Sequence, residues 1–253
     1  MELKTLLSEL KLFGMKESID YRLTSIAQGG LTHDEMLRLL IEDEQLYRSN
    51  AKADRLRKKA TFKDVVLLSD FNCDVKRGIS KIMIKDFQSL NFLKSFENII
   101  FTGGTGAGKS FLAQAIGHCA CLSGKDSKFI AINYLFEQFK AAQKSGHVLT
   151  FLKRFSTYEL LILDDLGLRK FTHEEATLLY QIVEDRYQKG STIVTTQLLP
   201  PGLRDLFDDQ VIAEAIIDRL TSNAHIIEIK GPTYRRNQSP KKKMTFELQE
   251  ELN

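Results

Sequence analysis

Asn98-Ile99-Ile100-Phe101-Thr102-Gly103-Gly104-Thr105-Gly106-Ala107-Gly108-Lys109-Ser110-Phe111-Leu112-Ala113-Gln114-Ala115-Ile116 decides how the rest of the chain is read. The first five residues are mostly apolar and β-branched, as in a short buried strand. A glycine-rich turn follows, and from Ser110 the apolar residues take helical spacing. Between them, Gly103-x4-Gly108-Lys109-Ser110 fills every position of a P-loop. Glycine lets successive backbone N–H groups turn inward onto phosphate oxygens, an approach that a Cβ would block. The helix opening there adds its positive end to the same anion. Lys109 brings a mobile charge for the β- and γ-phosphates, and the Ser110 hydroxyl is placed for Mg²⁺. Gly103, Gly104, Thr105, Gly106, Ala107, Gly108, Lys109, Ser110 and Phe111 are therefore the expected nucleotide-binding residues. A chance glycine-rich turn is the alternative, but it has no reason to fill every position between a strand and a helix.

Downstream of this stretch, strands and helices alternate. Strands are expected at Lys128–Ile132, Leu160–Leu163, Thr192–Thr196 and His225–Ile229. Helices are expected at Tyr134–Lys144, Glu174–Gln188 and Val211–Leu220. Short apolar runs between helices predict an α/β fold, a parallel sheet covered on both faces. In such sheets ligands lie beyond the carboxyl ends of the strands. Leu160-Leu161-Ile162-Leu163-Asp164-Asp165 puts two carboxylates at that edge. Asp164 suits a Mg²⁺-holding acid, and Asp165 suits an acid that orients or deprotonates water. An Asp-Asp surface turn is the competing reading. Gln197, after the strand ending Thr195-Thr196, has the chemistry to position a nucleophile, or belongs to a polar turn before Pro200-Pro201. Arg219 lies inside an apolar helix. It reads equally as a local ion pair with Asp218 or Glu214, or as an arginine reaching a neighbouring subunit's γ-phosphate.

The chain of 253 residues has room for one sizeable core and a smaller unit. Its 43% hydrophobic and 27% charged residues are ordinary for a globular protein. No apolar run approaches the roughly 20 residues needed to span a bilayer, and Met1-Glu2-Leu3-Lys4 does not open a signal peptide. A cytoplasmic address without membrane contact is expected. Cys73, Cys119 and Cys121 show neither disulfide nor metal spacing, and the five histidines are scattered. The net charge is +3, but its distribution is uneven. Arg48, Lys52, Arg55, Arg57, Lys58, Lys59 and Lys63 form one basic block; Lys76, Arg77, Lys81 and Lys85 a second; Arg235, Arg236 and Lys241-Lys242-Lys243 a third. Such blocks are either solvated helix faces or the footprint of a phosphate backbone. Three of them beside a nucleotide motif favour DNA, with Arg48, Lys52, Arg55, Arg57, Lys58 and Lys59 as candidate contacts.

Residues 1–66 read as a small all-helical N-terminal domain for DNA or partner binding, or a packing appendage. Leu3, Leu6, Leu7, Leu10 and Phe13 keep helical spacing up to Gly14, which is expected to stop the helix. Gln28-Gly29-Gly30 predicts a turn, and Thr32 with Glu35 a capping box. Met36, Leu39, Leu40 and Leu46 would give the next helix its apolar side. Residues 67–235 are assigned to the ATPase domain, with Phe87, Leu90, Phe92 and Leu93 expected beside the base. Residues 236–253 are expected to form a polar, mobile tail.

In this order the motifs resemble a known family. They are Gly103–Ser110, Leu160–Gly167, Arg186-Tyr187, Ser191–Gln197, Ala215–Leu220 and Gly231–Arg235, preceded by Asp43-Glu44 and Arg48. The chain is similar to the IstB-like AAA+ ATPases, helpers of insertion-sequence transposases and relatives of the DnaC helicase loaders. The resemblance implies a P-loop NTPase of AAA+ type without a lid domain. It implies nucleotide, Mg²⁺ and hydrolytic roles for Lys109, Ser110, Asp164 and Asp165. It also implies the sensor position for Gln197 and the arginine-finger position for Arg219. Two departures stand out: Phe111 after the P-loop serine, and Arg204-Asp205-Leu206-Phe207 in place of a tryptophan-bearing segment.

The expected activity is Mg²⁺-dependent hydrolysis of ATP by a homo-oligomer with ATP between subunits. The oligomer would assemble on double-stranded DNA and assist a transposase, with hydrolysis driving release. A loader acting on a replicative helicase differs only in partner. A nucleotide-switched adaptor that scarcely hydrolyses is disfavoured by Asp165, and a small-molecule kinase by the basic blocks and the lack of a second-substrate lid.

Overall fold

Short, nearly uninterrupted apolar runs pair into one parallel sheet in the computed structural model, which describes residues 2–73 and 77–231. Strands β1 (Asn98–Gly103), β2 (Ser127–Ala131), β3 (Leu160–Leu166), β4 (Ser191–Thr196) and β5 (Ala224–Ile229) stand in the order β2-β3-β4-β1-β5. Every pairing is parallel. Strands β1, β3 and β4 are covered on both faces, so apolar residues fill both sides of their pleat. Strand β5 closes an edge and exposes His225, Ile226 and Glu228.

The helices are α1 (Leu3–Glu9), α2 (Phe13–Ala27), α3 (His33–Ala60), α4 (Lys81–Ser89), α5 (Asn91–Lys94), α6 (Lys109–Leu122), α7 (Ile132–Lys144), α8 (Val148–Ser156), α9 (His173–Arg186) and α10 (Gln210–Thr221). Alternation along the strands divides the core. Ile100, Leu161, Leu163 and Val194 pack with Phe136, Phe155, Leu179 and Ile216 from the helices on one face. Ile99, Phe101, Ile162 and Ile193 pack with Leu112, Ile116 and Phe87 on the other. This is the expected α/β architecture, a parallel sheet between layers of helices, with a helical N-terminal region. The strands read from the sequence fall within a few residues of those observed. Helix α8 has no counterpart in that reading; it buries Phe151 and Phe155.

The N-terminal helices correct two expectations. Gly14 does not stop a helix: the chain turns at Lys11, in the left-handed region at φ 56°, and Gly14 lies inside α2. A Cβ on Gly14 would come within 2.6 Å of the Asp43 carbonyl oxygen and 2.7 Å of the Glu44 Cα, so glycine is what lets α2 cross α3 closely. Leu46 is exposed rather than part of the apolar side, which rests on Leu40 with Met36 against it. The Thr32–Glu35 capping box and the turn at Gln28–Gly30 are present as expected.

Helix α3 joins the two parts of the chain. Leu40, near its start, packs with Leu7 and Ile19, whereas Leu56 and Ala60 pack on Cys121 of α6. A domain division at residue 66, retained here as a proposal, thus falls in the short strap that follows a continuous helix. Phe87, Leu90, Phe92 and Leu93, expected beside the base, do not line the cavity at the P-loop; they enter the core under the sheet, with the Phe87 ring edge-on to Phe101 at 5.9 Å. Lys76, Arg235, Arg236, Lys241, Lys242, Lys243, the 236–253 tail and the question of a lid lie outside the described residues.

Candidate nucleotide site

The site begins where β1 ends. Gly103 takes φ 136°, and a Cβ there would sit 2.2 Å from the Ile229 carbonyl oxygen of the adjacent edge strand. Gly108, at φ 108°, caps the start of α6. The Lys109 ammonium is buried and donates to the carbonyls of Gly103 (2.8 Å) and Gly104 (2.9 Å), across the mouth of its own loop. Arg77 supports the loop from behind, donating to the Ala107 carbonyl at 3.1 Å. Arg77 is buried, so it does not belong to a surface-exposed basic block; Lys81 and Lys85 of that block are exposed.

Beside the P-loop, β3 carries its two acids out of register. Leu163 pairs with Val194 but Leu166 with Thr196, so Asp164-Asp165 form a bulge. Bulges of this kind re-aim side chains at the ends of strands. Asp165 adopts φ 60°, a costly conformation for a residue with a Cβ. One hydroxyl braces both residues: Thr195 Oγ1 donates to Asp164 Oδ1 at 2.7 Å and accepts from the Asp165 N–H at 2.9 Å. Asp164 is fully buried and Asp165 half-buried.

A strap after α3 closes the other side. Thr61, left-handed at φ 60°, ends the helix, and the Phe62 ring packs tilted against the His118 ring, with centroids 4.2 Å apart. Gln114 of α6 holds the strap backbone: its Oε1 accepts from the N–H groups of Lys63 (2.7 Å) and Asp64 (3.2 Å). His118 Nε2 lies 2.8 Å from the Asp64 carbonyl oxygen, which can only accept, so this nitrogen carries the proton. Burial pulls the His118 pKa below the ordinary histidine value, partly offset by that hydrogen bond.

These pieces enclose a cavity of about 350 Å³ lined by Thr105, Gly106, Gly108, Lys109, Ser110, Phe111, Asp164, Asp165 and Gln197, all expected from the sequence. Its remaining walls are Lys63, Asp64, Val66, Asp70, Phe71 and Gln114, none of which was read as a site residue. The Phe71 and Phe111 rings lie 6.2 Å apart. The Ser110 hydroxyl and the Asp164 carboxylate are hard oxygen donors of the kind Mg²⁺ prefers. Among the described residues no group of three or more His, Cys, Asp or Glu could hold a metal ion. A Mg²⁺ fits here only as a site completed by phosphate and water, its usual habit.

Arg219 is elsewhere. Asn98, at the start of β1, donates to the Arg219 carbonyl, whereas the P-loop leaves the strand's far end, roughly 17 Å along it. The Arg219 guanidinium is paired with Glu184 of α9 and lies over the Tyr180 ring at 5.3 Å. Its ion-pair partner is thus neither Asp218 nor Glu214. Arg186, buried behind it, donates to the carbonyls of Phe155, Tyr158 and Ser191. Burial lowers its pKa to about 10, which leaves it charged at neutral pH.

The basic block on α3 divides. Arg48 pairs with Glu44, Arg57 with Asp54, and Lys59 with Asp126 while lying over the Tyr158 ring. Lys52 lies against Gly124, and Arg55 and Lys58 are exposed. Asp43 and Glu44 fasten the helical region: Arg22 donates two hydrogen bonds to Asp43, and Glu44 accepts from the Gly14 and Met15 amides. No helix among the described residues is long and apolar enough to cross a membrane.

Sheet order, P-loop and strand-tip acid together define a P-loop NTPase of the AAA+ class. Within that class, a profile of the family described as IstB-like ATP binding protein matches residues 5–242, and the chain belongs to that family. It is 30% identical over 239 residues to an insertion-sequence ATP-binding protein of Mycobacterium tuberculosis H37Rv, covering 94% of this chain and 95% of that one. The fold resembles the crystal structure of the DnaC helicase loader, with TM-score 0.53 and 20% identity over 65% of this chain and 97% of that one. It also resembles AMPPCP-bound DnaA from Aquifex aeolicus, with TM-score 0.56 and 22% identity over 71% and 55% of the two chains.

Proposed function

We propose that this protein binds ATP with Mg²⁺ in the cavity between the P-loop, β3 and the strap, hydrolyses it, and multimerises on duplex DNA to assist an insertion-sequence transposase. The observation that carries this reading is the convergence of the P-loop and the braced Asp164-Asp165 bulge on one cavity, in a chain of an insertion-sequence ATP-binding family. A protein of like fold was solved with AMPPCP, which supports a triphosphate as the ligand.

Residues 103–111 hold the phosphates, with Lys109 leaving its two carbonyls to meet them. Ser110 and Asp164 would hold the cation, which would neutralise phosphate charge. Asp165 orients or deprotonates the attacking water, and Gln197 positions it near the γ-phosphate. Arg219 lies too far from its own P-loop to serve it, so its part is played on a neighbouring copy, after release from Glu184. Arg48, Lys52, Arg55, Arg57, Lys58 and Lys59 contribute to a DNA-facing side of α3, giving salt-sensitive binding with little sequence preference. The ion pairs at Arg48, Arg57 and Lys59 must loosen for those three to take part.

Lys109→Ala tests the core of this reading. The variant is expected to fold, to lose binding of a fluorescent ATP analogue by at least about tenfold, and to lose turnover. Wild-type affinity and turnover in the variant would refute the assignment.

A further inference from the structure

The basic block that begins on α3 ends, past the helix, in Lys63, which is half-exposed and pairs with an acid of the nucleotide cavity. Lys63 Nζ lies 3.2 Å from Asp164 Oδ2 and 5.3 Å from the centre of the Phe129 ring. Asp164 is 1% exposed at its side chain, and its other oxygen takes the Thr195 hydroxyl. The ammonium therefore holds the carboxylate oxygen that a divalent cation would use. Its backbone is fixed there by Gln114, and its stem reaches the site along an aromatic face.

We propose that Lys63 is a built-in counter-cation of the metal site, which occupies Asp164 before nucleotide enters and is displaced by the Mg²⁺ that accompanies it. The proposal rests on the nucleotide reading above. A buried carboxylate is costly to leave without a cation, so an ammonium facing Asp164 stabilises the empty site. With Lys63 in place, the empty site is neutralised without metal. Mg²⁺ then has to compete with an attached ammonium, which sets how much Mg²⁺ nucleotide binding requires. Lys63 is three residues past the end of α3, so the exchange takes place on the strap that anchors that helix. Charge exchange at Asp164 and the setting of the basic helix are thereby mechanically adjacent.

The test titrates Mg²⁺ at fixed ADP, following ADP binding by fluorescence or calorimetry, in wild type, Lys63→Met and Lys63→Arg. Methionine keeps an unbranched stem on Phe129 and removes the charge. The expected result is a half-saturating Mg²⁺ concentration several-fold lower in Lys63→Met, as befits loss of a half-exposed charge pair. Lys63→Arg should stay near wild type. Without nucleotide, Mg²⁺ alone should raise the melting temperature of Lys63→Met and barely move that of wild type. Lys63→Gln is a second neutral variant with the same expectation, should the methionine variant fold poorly. The same Mg²⁺ dependence in wild type and both neutral variants, with ADP bound by all, would overturn the Lys63 proposal alone. A shift in Lys63→Arg equal to that in Lys63→Met would overturn it too, since shape rather than charge would then be responsible. Wild-type protein that binds no ADP at any Mg²⁺ concentration would overturn the nucleotide reading and this inference with it.

Discussion

Thr195 sets the geometry of the site with a single hydroxyl, which donates to Asp164 and accepts from the Asp165 amide. Valine has nearly the same shape without the hydrogen bonds, so Thr195→Val leaves a buried acceptor and a backbone N–H without this partner. The expected cost is about 1–3 kcal/mol of stability by chemical denaturation. Turnover should fall by about tenfold or more, because displacement of a catalytic carboxylate by even an ångström is expensive. ATP binding should persist, since the P-loop is untouched; unchanged turnover would deny Thr195 this part. The meeting of Lys109, Ser110, Asp164 and Asp165 on one cavity was legible in the sequence, because phosphate chemistry fixes both residue type and local spacing. Thr195, Gln114 and Lys63 were not, because each is defined by a partner far along the chain: 31, 51 and 101 residues away, respectively. Arg77 was misread for a related reason. Its charge suggested a surface, but it is buried against the Ala107 carbonyl.

At the scale of elements, strands and caps were legible and crossings were not. A doubly covered strand must be apolar throughout, and a capping box is complete within four residues, so both appear in local sequence. Gly14 illustrates the opposite case: glycine serves equally to end a helix or to admit a neighbouring one, and only α3, thirty residues on, decides. Gly14→Ala should destabilise the α2–α3 crossing by about 1–3 kcal/mol through overpacking, partly offset by the better helix propensity of alanine. Hydrogen exchange should quicken in α1 and α2 and stay unchanged in the sheet. Equal exchange throughout would show that the crossing tolerates a methyl group. The strap makes a pH prediction. The His118 pKa is lowered in the folded protein, first by burial, so its contribution to stability is complete above the ordinary histidine value of about 6.5. That contribution is lost as pH falls through the lower folded-state value. Melting temperature should therefore drop as pH falls below about 6.5, and His118→Gln should flatten the slope. An identical slope in the variant would clear His118 of the effect.

For the whole molecule, the decisive arrangement is the separation of Arg219 from its own P-loop by the length of β1. Spacing alone left Arg219 divided between a local pair and a finger, and the family resemblance favoured the finger. Glu184 supplies a local pair, but from α9 rather than from its own helix, a contact set by packing and hence invisible to spacing. If Arg219 works on a neighbour, Arg219→Ala should bind ATP normally yet hydrolyse it poorly even at high protein concentration. Glu184→Ala, which frees the guanidinium, should hydrolyse at least as fast as wild type; normal turnover in Arg219→Ala would confine the arginine to its pairing with Glu184. Triphosphate in this cavity is expected to assemble copies of the chain on duplex DNA. Electron microscopy of wild type and Lys109→Ala with duplex DNA and a slowly hydrolysed ATP analogue decides the point. Ordered multimers on the DNA are expected for wild type with the analogue, and none for wild type without nucleotide or for Lys109→Ala. Single copies throughout, or the same assemblies in all three samples, would contradict it.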